Sequence, residues 1–421
     1  MVYSQKVQTF LHKQQKRMFV LFKLTFFVYD ATMQEQILDQ LSASMQRKTN
    51  NLPERLRLFT TEYGQLPQTV IVTGLRGIGK STFLLYHARN SGKRIMYLSA
   101  DSPLISSEPL YSVVSFIFSQ GYEGVIVDEV HYAKDWAVHL KALHDDYPDR
   151  IIWASDSSSL ILRQGNADLS RRFVKINMPL MSFREFLFLE SGKVYEKYTF
   201  GNPDIPLKLD ADLLNFFHKY RKYGTRPFYQ EGDYSDRLLA LLDKTLNSDV
   251  PFFVPMITAD NLRLMSSVIG TLAYAPVPRL QVRSLCADWN ISADKLYQLL
   301  NVMESVGILT IVRYENDTKA NTAGAKLLIA DPCLYTVLSG NRGSQREALV
   351  VSMLKQSGYE VTASKDETSG DYVIKKQFTE KKYRIEIGGR NKNIKQSDYV
   401  IRDDTDYPSE HSIPLWLICM L

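Results

Sequence analysis

A glycine-rich loop stands between an apolar run and a helix-forming run near the start of the patterned part of the chain. Thr69–Thr73 reads TVIVT, and its β-branched side chains predict a buried strand. The loop Gly74-Leu-Arg-Gly-Ile-Gly-Lys-Ser81 follows at once, and residues 82–88 then favour a helix. The pattern G-x4-G-K-S in this strand–loop–helix order predicts a phosphate-binding loop, or P-loop.

Each part of the loop has a chemical purpose. Glycines let the backbone curl until its N–H groups point at phosphate oxygens, and the helix N-terminus adds the positive end of a dipole. We expect the Lys80 ammonium to reach the β- and γ-phosphates of ATP, and the Ser81 hydroxyl to ligate Mg²⁺. The predicted nucleotide-binding residues of the loop are Gly74, Gly77, Gly79, Lys80, Ser81 and Thr82.

A pair of carboxylates lies downstream of the loop. Gly124–Val127 is an apolar strand candidate that leads into Asp128 and Glu129. Such a pair is common at the surface ends of strands, but together with a P-loop it indicates nucleotide hydrolysis. We expect Asp128 to bind Mg²⁺ through water, and Glu129 to orient and polarise the attacking water.

Two further positions are candidates for catalysis. Ile151–Ala154 predicts another strand that leads into Ser155, whose hydroxyl we expect to hold the attacking water. The alternative for Ser155 is a serine-rich turn that only caps the next helix. Arg171 and Arg172 precede an apolar stretch. One of them is a candidate arginine finger, which would contact ATP held by a neighbouring subunit and stabilise the charge of the transition state. A surface salt bridge is the alternative for these arginines.

Several stretches together resemble the prokaryotic AAA-type ATPases that carry a C-terminal domain of uncharacterised function. The most specific of them is Pro179-Leu-Met-Ser-Phe-Arg-Glu-Phe186. The others are Val72–Lys80, Val127–His131, Trp136 with Leu140-Lys141, and Arg171-Arg172. The resemblance covers most of the chain from about residue 66 onward, and it implies an AAA-like ATPase with ATP and Mg²⁺ as its ligands.

The resemblance also implies roles for single residues. Arg172 becomes the finger, because Arg171 takes the glycine position of the family's Leu-x-Gly pattern. The family's Thr-Gly-Ser-Ser reads Ser155–Ser158 here, so Asp156 replaces the glycine expected beside the γ-phosphate. Arg226 falls in a segment similar to the family's glycine–proline stretch in the helical lid, which implies a contact with the nucleotide.

The order of these segments predicts the architecture. Apolar strands that alternate with amphipathic helices indicate a parallel sheet covered on both faces. We therefore predict an α/β protein with an AAA-like P-loop NTPase sheet, a helical lid, a winged-helix module and a small α/β nuclease-like C-terminal domain. The predicted boundaries are an N-terminal extension at 1–32, the ATPase core at 33–190, the lid at 191–258, the winged-helix-like module at 259–340 and the nuclease-like domain at 341–421.

The winged-helix prediction depends on a helix that begins after Ser292 and is followed by short strands at 309–314 and 326–329. Such modules often bind DNA in the major groove. Lys295 is the one basic residue of this helix, however, so a module that packs on the ATPase or on a partner is favoured. The apolar stripe of the helix is predicted at Leu296, Leu299, Leu300, Met303 and Val306.

The nuclease-like prediction depends on Asp371 and Glu386, which fall on two predicted neighbouring strands. These residues resemble the core of PD-(D/E)xK nucleases, in which two carboxylates bind Mg²⁺ and a lysine two residues after the Glu helps to activate water. That lysine position is Gly388 here, which most simply predicts an inactive, retained fold. Arg390 or Lys392 would substitute only if its side chain turned back.

Composition bears on three questions: contact with nucleic acid, disulfide bonds and membrane insertion. A net charge of +5 permits contact with nucleic acid without demanding it. The three cysteines, Cys286, Cys333 and Cys419, are far apart, which argues against a disulfide framework and fits a reducing cytoplasm. The apolar run 18–29 is short for a membrane span, so we expect no membrane insertion, a peripheral extension at 1–32 and a natural start at Met33.

The predicted function is that of an ATP hydrolase. We expect it to bind ATP with Mg²⁺, to produce ADP and phosphate, and to use turnover to switch or drive an interaction with a protein partner or with further copies of itself. The alternatives are an ATPase that acts on DNA and an ATP-regulated nuclease that uses the C-terminal domain.

Overall fold

The computed structural model describes residues 36–106, 108–157, 169–202, 209, 211–276, 282–315, 317, 325–366 and 368–421. The predicted extension at 1–32 lies outside these residues. Contacts divide the chain into two units. The first unit contains residues up to Leu52 together with Leu84–Ala154, and the second contains Pro53–Phe83 together with Ser155–Leu421.

The first unit is built on parallel strands separated by helices. Strand β2 (Ile95–Ser99) pairs with β3 (Gly124–Asp128), and β3 pairs with β4 (Ile151–Asp156), both in parallel. Burial along these strands is nearly continuous, as expected when helices cover both faces. The helices of this unit are 36–50, Pro103–Ser106, Leu110–Ser119, Trp136–Asp146 and the part of Lys80–Asn90 from Leu84 onward.

The second unit holds the strand that precedes the glycine-rich loop. Strand β1 (Thr69–Thr73) pairs in parallel with β5 (Val174–Asn177), with Val70 opposite Val174. All five strands β1–β5 thus pair in parallel, which confirms the predicted α/β class. Strand β5 was not predicted, because Ile176 is its single buried side chain and the apolar signal is weak.

Helices dominate the middle of the second unit. A left-handed Gly192 ends Phe183–Ser191, and a Ser182 cap begins it. A short helix, Leu58–Glu62, lies earlier in the chain. The main helices after Phe183–Ser191 are Ala211–Tyr223, Tyr234–Lys244, Val250–Phe253, Ala259–Tyr274, Val282–Asp288 and Ala293–Ser305. The predicted stripe of the last helix is confirmed, because all five of its residues are buried.

The C-terminal part of the second unit is a mixed sheet beside one long helix. Strands β6 (Leu309–Val312) and β7 (Lys326–Ile329) form an antiparallel hairpin. Helix Cys333–Val337 and helix Arg342–Gln356 then precede a sheet of order β12-β11-β10-β9-β8. Its strands are β8 (Tyr359–Ala363), β9 (Tyr372–Lys376), β10 (Lys382–Gly388), β11 (Tyr399–Arg402) and β12 (Ser412–Pro414), followed by helix Leu415–Ile418.

One apolar core runs through the second unit from Met181 to Met420. The segments predicted as lid, winged-helix-like module and nuclease-like domain therefore share a core. The helices and strands occur near their predicted positions, while the winged-helix and nuclease-like identities stay predictions. Within the described ranges, the longest apolar helices fall short of what a membrane crossing requires.

Candidate nucleotide-binding site

The glycine-rich loop adopts a backbone that needs its glycines. Gly77 has φ +75°, and a Cβ atom there would lie 2.8 Å from Cε1 of Phe228. A Cβ on Gly74 would lie 2.4 Å from the carbonyl oxygen of Met178. Helix Lys80–Asn90 begins at the end of the loop, so the positive end of its dipole lies at the loop. The predicted strand–loop–helix context is therefore present.

Lys80 is held against the loop itself. Its buried Nζ donates to the carbonyl oxygens of Gly74 at 2.9 Å and Leu75 at 3.1 Å, and to Oγ of Ser157 at 3.1 Å. An ammonium has three donors, so a phosphate oxygen would replace one of these weaker acceptors. Lys80 therefore lies against the loop backbone, and its binding of phosphate stays a prediction.

A buried ion pair fixes the loop from outside. Arg57 donates from Nε and Nη2 to the carboxylate of Glu185 at 3.0 and 2.9 Å. Its Nη1 donates to the carbonyl oxygens of Ile78 in the loop and Pro179, each at 2.9 Å. Ser182 completes a capping box with Glu185. The Ser-Phe-Arg-Glu stretch thus positions an arginine that holds the P-loop backbone, a role that sequence reasoning missed for Arg57.

Glu185 is ionised in spite of its burial. Desolvation by burial raises the pKa of a carboxyl, but the charge of Arg57 and hydrogen bonds from the guanidinium and from the backbone N–H groups of Ser182 and Phe59 outweigh it and hold the pKa of Glu185 below 4.5. Because the folded-state pKa is lowered, the stabilisation is present above the unfolded pKa near 4.5 and is lost as pH falls through the folded value.

Breaking this pair should destabilise the second unit strongly. Glu185→Gln is expected to lower the free energy of unfolding by about 3–5 kcal/mol, because the buried Arg57 loses its counter-charge. Urea unfolding at pH 7 measures this. The matched control is Glu62→Gln, which removes the partner of Arg184 where the Glu62 side chain is 44% exposed, and about 1 kcal/mol or less is expected there. Equal losses in the two variants would contradict the assignment.

Two more arginines tie the loop to the helical region and to the segment after β7. Arg76 donates to both oxygens of Asp249 at 2.7 Å in a fork-shaped pair, and both residues are buried. Arg226 donates from Nε to Asp331 at 2.7 Å, and its Nη1 donates to the carbonyl oxygen of Arg76. Arg226, expected from the family resemblance to contact nucleotide, therefore lies directly against the loop backbone.

The predicted acidic pair lies at the end of strand β3 in the first unit. Asp128 is buried and accepts a hydrogen bond from the hydroxyl of Tyr97 at 2.7 Å. Burial and the Asp128 charge raise the pKa of Tyr97, so its hydroxyl stays a donor. Glu129 follows in the left-handed region at φ 48°, and its Oε2 lies 3.7 Å from Nδ1 of His131. A non-glycine residue in that region is uncommon and is a typical feature of functional turns.

The remaining predicted residues fall in the second unit. Ser155 and Asp156 are completely buried at the end of β4. Ser157, two residues after the predicted Ser155, supplies the hydroxyl that contacts Lys80. The sequence repeats serine in this segment, and no local pattern showed that Ser157 would be the one to contact Lys80. Arg172 is half-buried, and its carbonyl oxygen accepts from Oγ1 of Thr69 at 2.5 Å, so its role as a finger stays a prediction.

The nuclease-like carboxylates lie within a network of ammonium groups. Glu386 is completely buried, with Nζ of Lys392 at 2.7 Å and Nζ of Lys395 at 2.8 Å from its oxygens. A Cβ on Gly388 would lie 2.5 Å from Cβ and Cγ of Lys392. The Lys392 side chain therefore lies beside Gly388, and its substitution for the lysine of the predicted nuclease motif stays a prediction.

The charges of this network balance. Lys326 lies 3.4 Å from Asp371 and 3.2 Å from Glu347, and Lys392 lies 3.4 Å from Asp371. Burial raises the pKa of Asp371, but Lys326 and the N–H of Ile387 lower it further than burial raises it. The three ammonium groups neutralise the three carboxylates Glu347, Asp371 and Glu386. A divalent cation would add two positive charges that these carboxylates no longer balance. These residues do not fit a Mg²⁺ site as they stand.

Comparison with known proteins agrees with the loop assignment. Residues 67–187 match the family model described as the AAA domain. No curated protein gives a significant match. This match supports an AAA-type domain over that stretch, while the nuclease-like identity stays a prediction.

Two solved structures are similar at low identity. A Walker-type ATPase of Pyrococcus abyssi is 15% identical with a TM-score of 0.38, covering 65% of this chain and 91% of that one. The ORC1 protein of Aeropyrum pernix, in complex with DNA, is 11% identical with a TM-score of 0.30, covering 73% of this chain and 91% of that one. TM-scores this low carry no argument about function. The nucleotide-binding site is therefore assigned from the AAA domain match and from the geometry of the glycine-rich loop.

Proposed function

We propose that this chain is an AAA-type ATPase that binds ATP with Mg²⁺ and hydrolyses it to ADP and phosphate. The observation that carries the proposal is the P-loop, with Lys80 donating to the loop carbonyl oxygens of Gly74 and Leu75 and to Ser157. The glycine conformations support it, because Gly77 and Gly79 have φ +75° and +99°, and this left-handed backbone is the kind that turns N–H groups toward an anion.

Each predicted residue has a part in the proposed reaction. Loop N–H groups and Lys80 bind the phosphates, and Ser81 and Asp128 would hold Mg²⁺, which supplies neutralisation of phosphate charge. Glu129 accepts a proton from water as the water oxygen bonds to the γ-phosphorus. The bond from that phosphorus to the β–γ bridging oxygen breaks, and ADP leaves. Ser155 positions the water, and Arg172 of a neighbouring copy stabilises the departing charge.

We propose further that ATP turnover switches the interaction of a partner with the second unit. The support is the set of contacts made by Leu75 and Arg76, which lie between the first two glycines of the loop. A Cβ on Gly307 would lie 2.2 Å from Cδ2 of Leu75, so the loop packs against the turn after helix Ala293–Ser305. Arg76 binds Asp249, and Arg226 joins the Arg76 carbonyl oxygen to Asp331. A shift of the loop on binding ATP would therefore move these segments with it.

The test is ATP turnover by the full chain with its metal removed and restored. We expect ADP and phosphate to appear with Mg²⁺, to fall to background with excess EDTA and to return when Mg²⁺ is added. The same assay over a range of protein concentrations tests Arg172, since a rate per subunit that is independent of concentration argues against a finger supplied by another copy. Absence of nucleotide binding at millimolar ATP with Mg²⁺ would refute the proposal.

The DNA-acting alternative is tested by adding DNA to that assay. A rate that rises with DNA and loses the increase steeply with salt would favour it over a protein partner. The nuclease alternative has less support, because Lys326, Lys392 and Lys395 compensate the carboxylates that a metal would need.

A further inference from the structure

A cavity of about 310 Å³ adjoins the P-loop within the second unit. Gly74, Leu75 and Ser157 form its wall on the loop side. Ser157 is also the residue whose hydroxyl accepts from Lys80 at 3.1 Å. Ser157 thus contacts Lys80 and also lines the cavity. In the proposed function, the cavity therefore adjoins the residues that would hold the terminal phosphate of ATP.

Hydrogen-bond donors and a cation also line this cavity. Thr310, Ser352 and Gln356 supply hydroxyl and amide groups, and Lys355 in the last turn of helix Arg342–Gln356 supplies an ammonium. The Lys355 side chain is solvent-accessible, but enough protein surrounds it for desolvation to lower its pKa. A partly desolvated ammonium gains more from an anion than a fully hydrated one does.

One carboxylate also lines the cavity and must be accounted for. Glu304 is paired with Arg313, whose Nη2 lies 2.7 Å and Nη1 3.2 Å from its oxygens. Glu304 raises the pKa of Lys355 while Arg313 lowers it, and the two opposing charges partly cancel. Because Glu304 is paired with Arg313, the Lys355 ammonium is the lining charge available to a ligand, and the class of ligand that fits is a small anion.

We propose that this cavity receives the inorganic phosphate released by ATP hydrolysis, with Lys355 as the cation that binds it. This inference rests on the proposed ATPase function and deepens it. Phosphate would pass from Lys80 and Ser157 to Lys355 while ADP remains on the loop. The position of Lys355 on the helix that leads into β8 would make the C-terminal sheet sensitive to the departure of phosphate.

The kinetic test uses inorganic phosphate as an inhibitor of ATP turnover by the full chain. Lys355→Met is expected to raise the inhibition constant for phosphate about tenfold or more and to leave the KM for ATP within about twofold, because one charge-assisted contact is lost. Lys355→Arg should stay within about threefold of wild type. The control Lys193→Met removes an exposed lysine outside the cavity and should change neither constant. Unchanged phosphate inhibition in Lys355→Met would overturn the proposal.

Equilibrium binding keeps this inference separate from the ATPase proposal. Phosphate titrated calorimetrically into the full chain should bind wild type and Lys193→Met alike, and Lys355→Met about tenfold more weakly. This holds even if the chain turns over no ATP, in which case the ATPase proposal fails and the anion site stands. Equal phosphate affinity in wild type and Lys355→Met, with ATP turnover intact, refutes the anion site alone.

Discussion

Replacement of Lys80 by alanine is expected to weaken ATP binding by at least about 100-fold, since charge-assisted hydrogen bonds to two phosphates contribute about 1.5–3 kcal/mol each. The structure explains why a neighbouring residue cannot compensate. Lys80 is 5% exposed and lies among the carbonyl oxygens of Gly74 and Leu75, so its removal leaves these acceptors without the ammonium that faces them. Those acceptors would then repel phosphate oxygens. Arg76, the other cation of the loop, is held by Asp249.

Fluorescence titration with an ATP analogue and Mg²⁺ measures the loss for Lys80→Ala. The matched control is Lys93→Ala, which removes an exposed lysine just after the helix that starts with Lys80. Near-wild-type affinity is expected for that control. Urea unfolding should accompany both, because loss of affinity counts only if the variant is folded. A folded Lys80→Ala chain that binds ATP normally would remove the P-loop from the proposed mechanism.

The sequence predicted best those features that follow from local pattern. Thr69–Thr73 and the loop after it were predicted residue by residue, because β-branched runs and a glycine motif signal strand and loop without tertiary information. The stripe on helix Ala293–Ser305 was equally clear, since its apolar residues recur at helical spacing. Strand β5 was missed because three of its four residues are exposed.

The contacts that hold the loop were not predictable in the same way. Arg57 and Glu185 are far apart in the chain, and nothing in either local pattern shows that they pair. Arg76 reaches Asp249 over a still longer separation. The Lys392 side chain lies beside Gly388 because of the turn that follows β10. Residue spacing alone did not decide whether that side chain would turn back toward Gly388. Partners distant in the chain need the fold, whereas a motif within one turn does not.

The other large effect is expected at Glu129. Glu129→Gln should reduce the kcat for ATP hydrolysis by about 100- to 10,000-fold, the usual contribution of a general base, because an amide cannot take a proton from water. The substitution keeps the size and shape of a side chain that follows β3 in the left-handed region at φ 48°. The affinity for ATP should stay within about threefold, because phosphate binding is assigned to the loop.

Phosphate release and ATP binding measured on the same preparations separate these two expectations. Glu108→Gln, an exposed carboxylate in the same unit, is the matched control and should hydrolyse ATP at the wild-type rate. The switch proposal adds a consequence, since Glu129→Gln should accumulate the ATP-bound form and hold any partner that this form prefers. Normal hydrolysis by Glu129→Gln would move the water-activating role to another residue, while the Lys80 result would still decide whether ATP is bound at the loop.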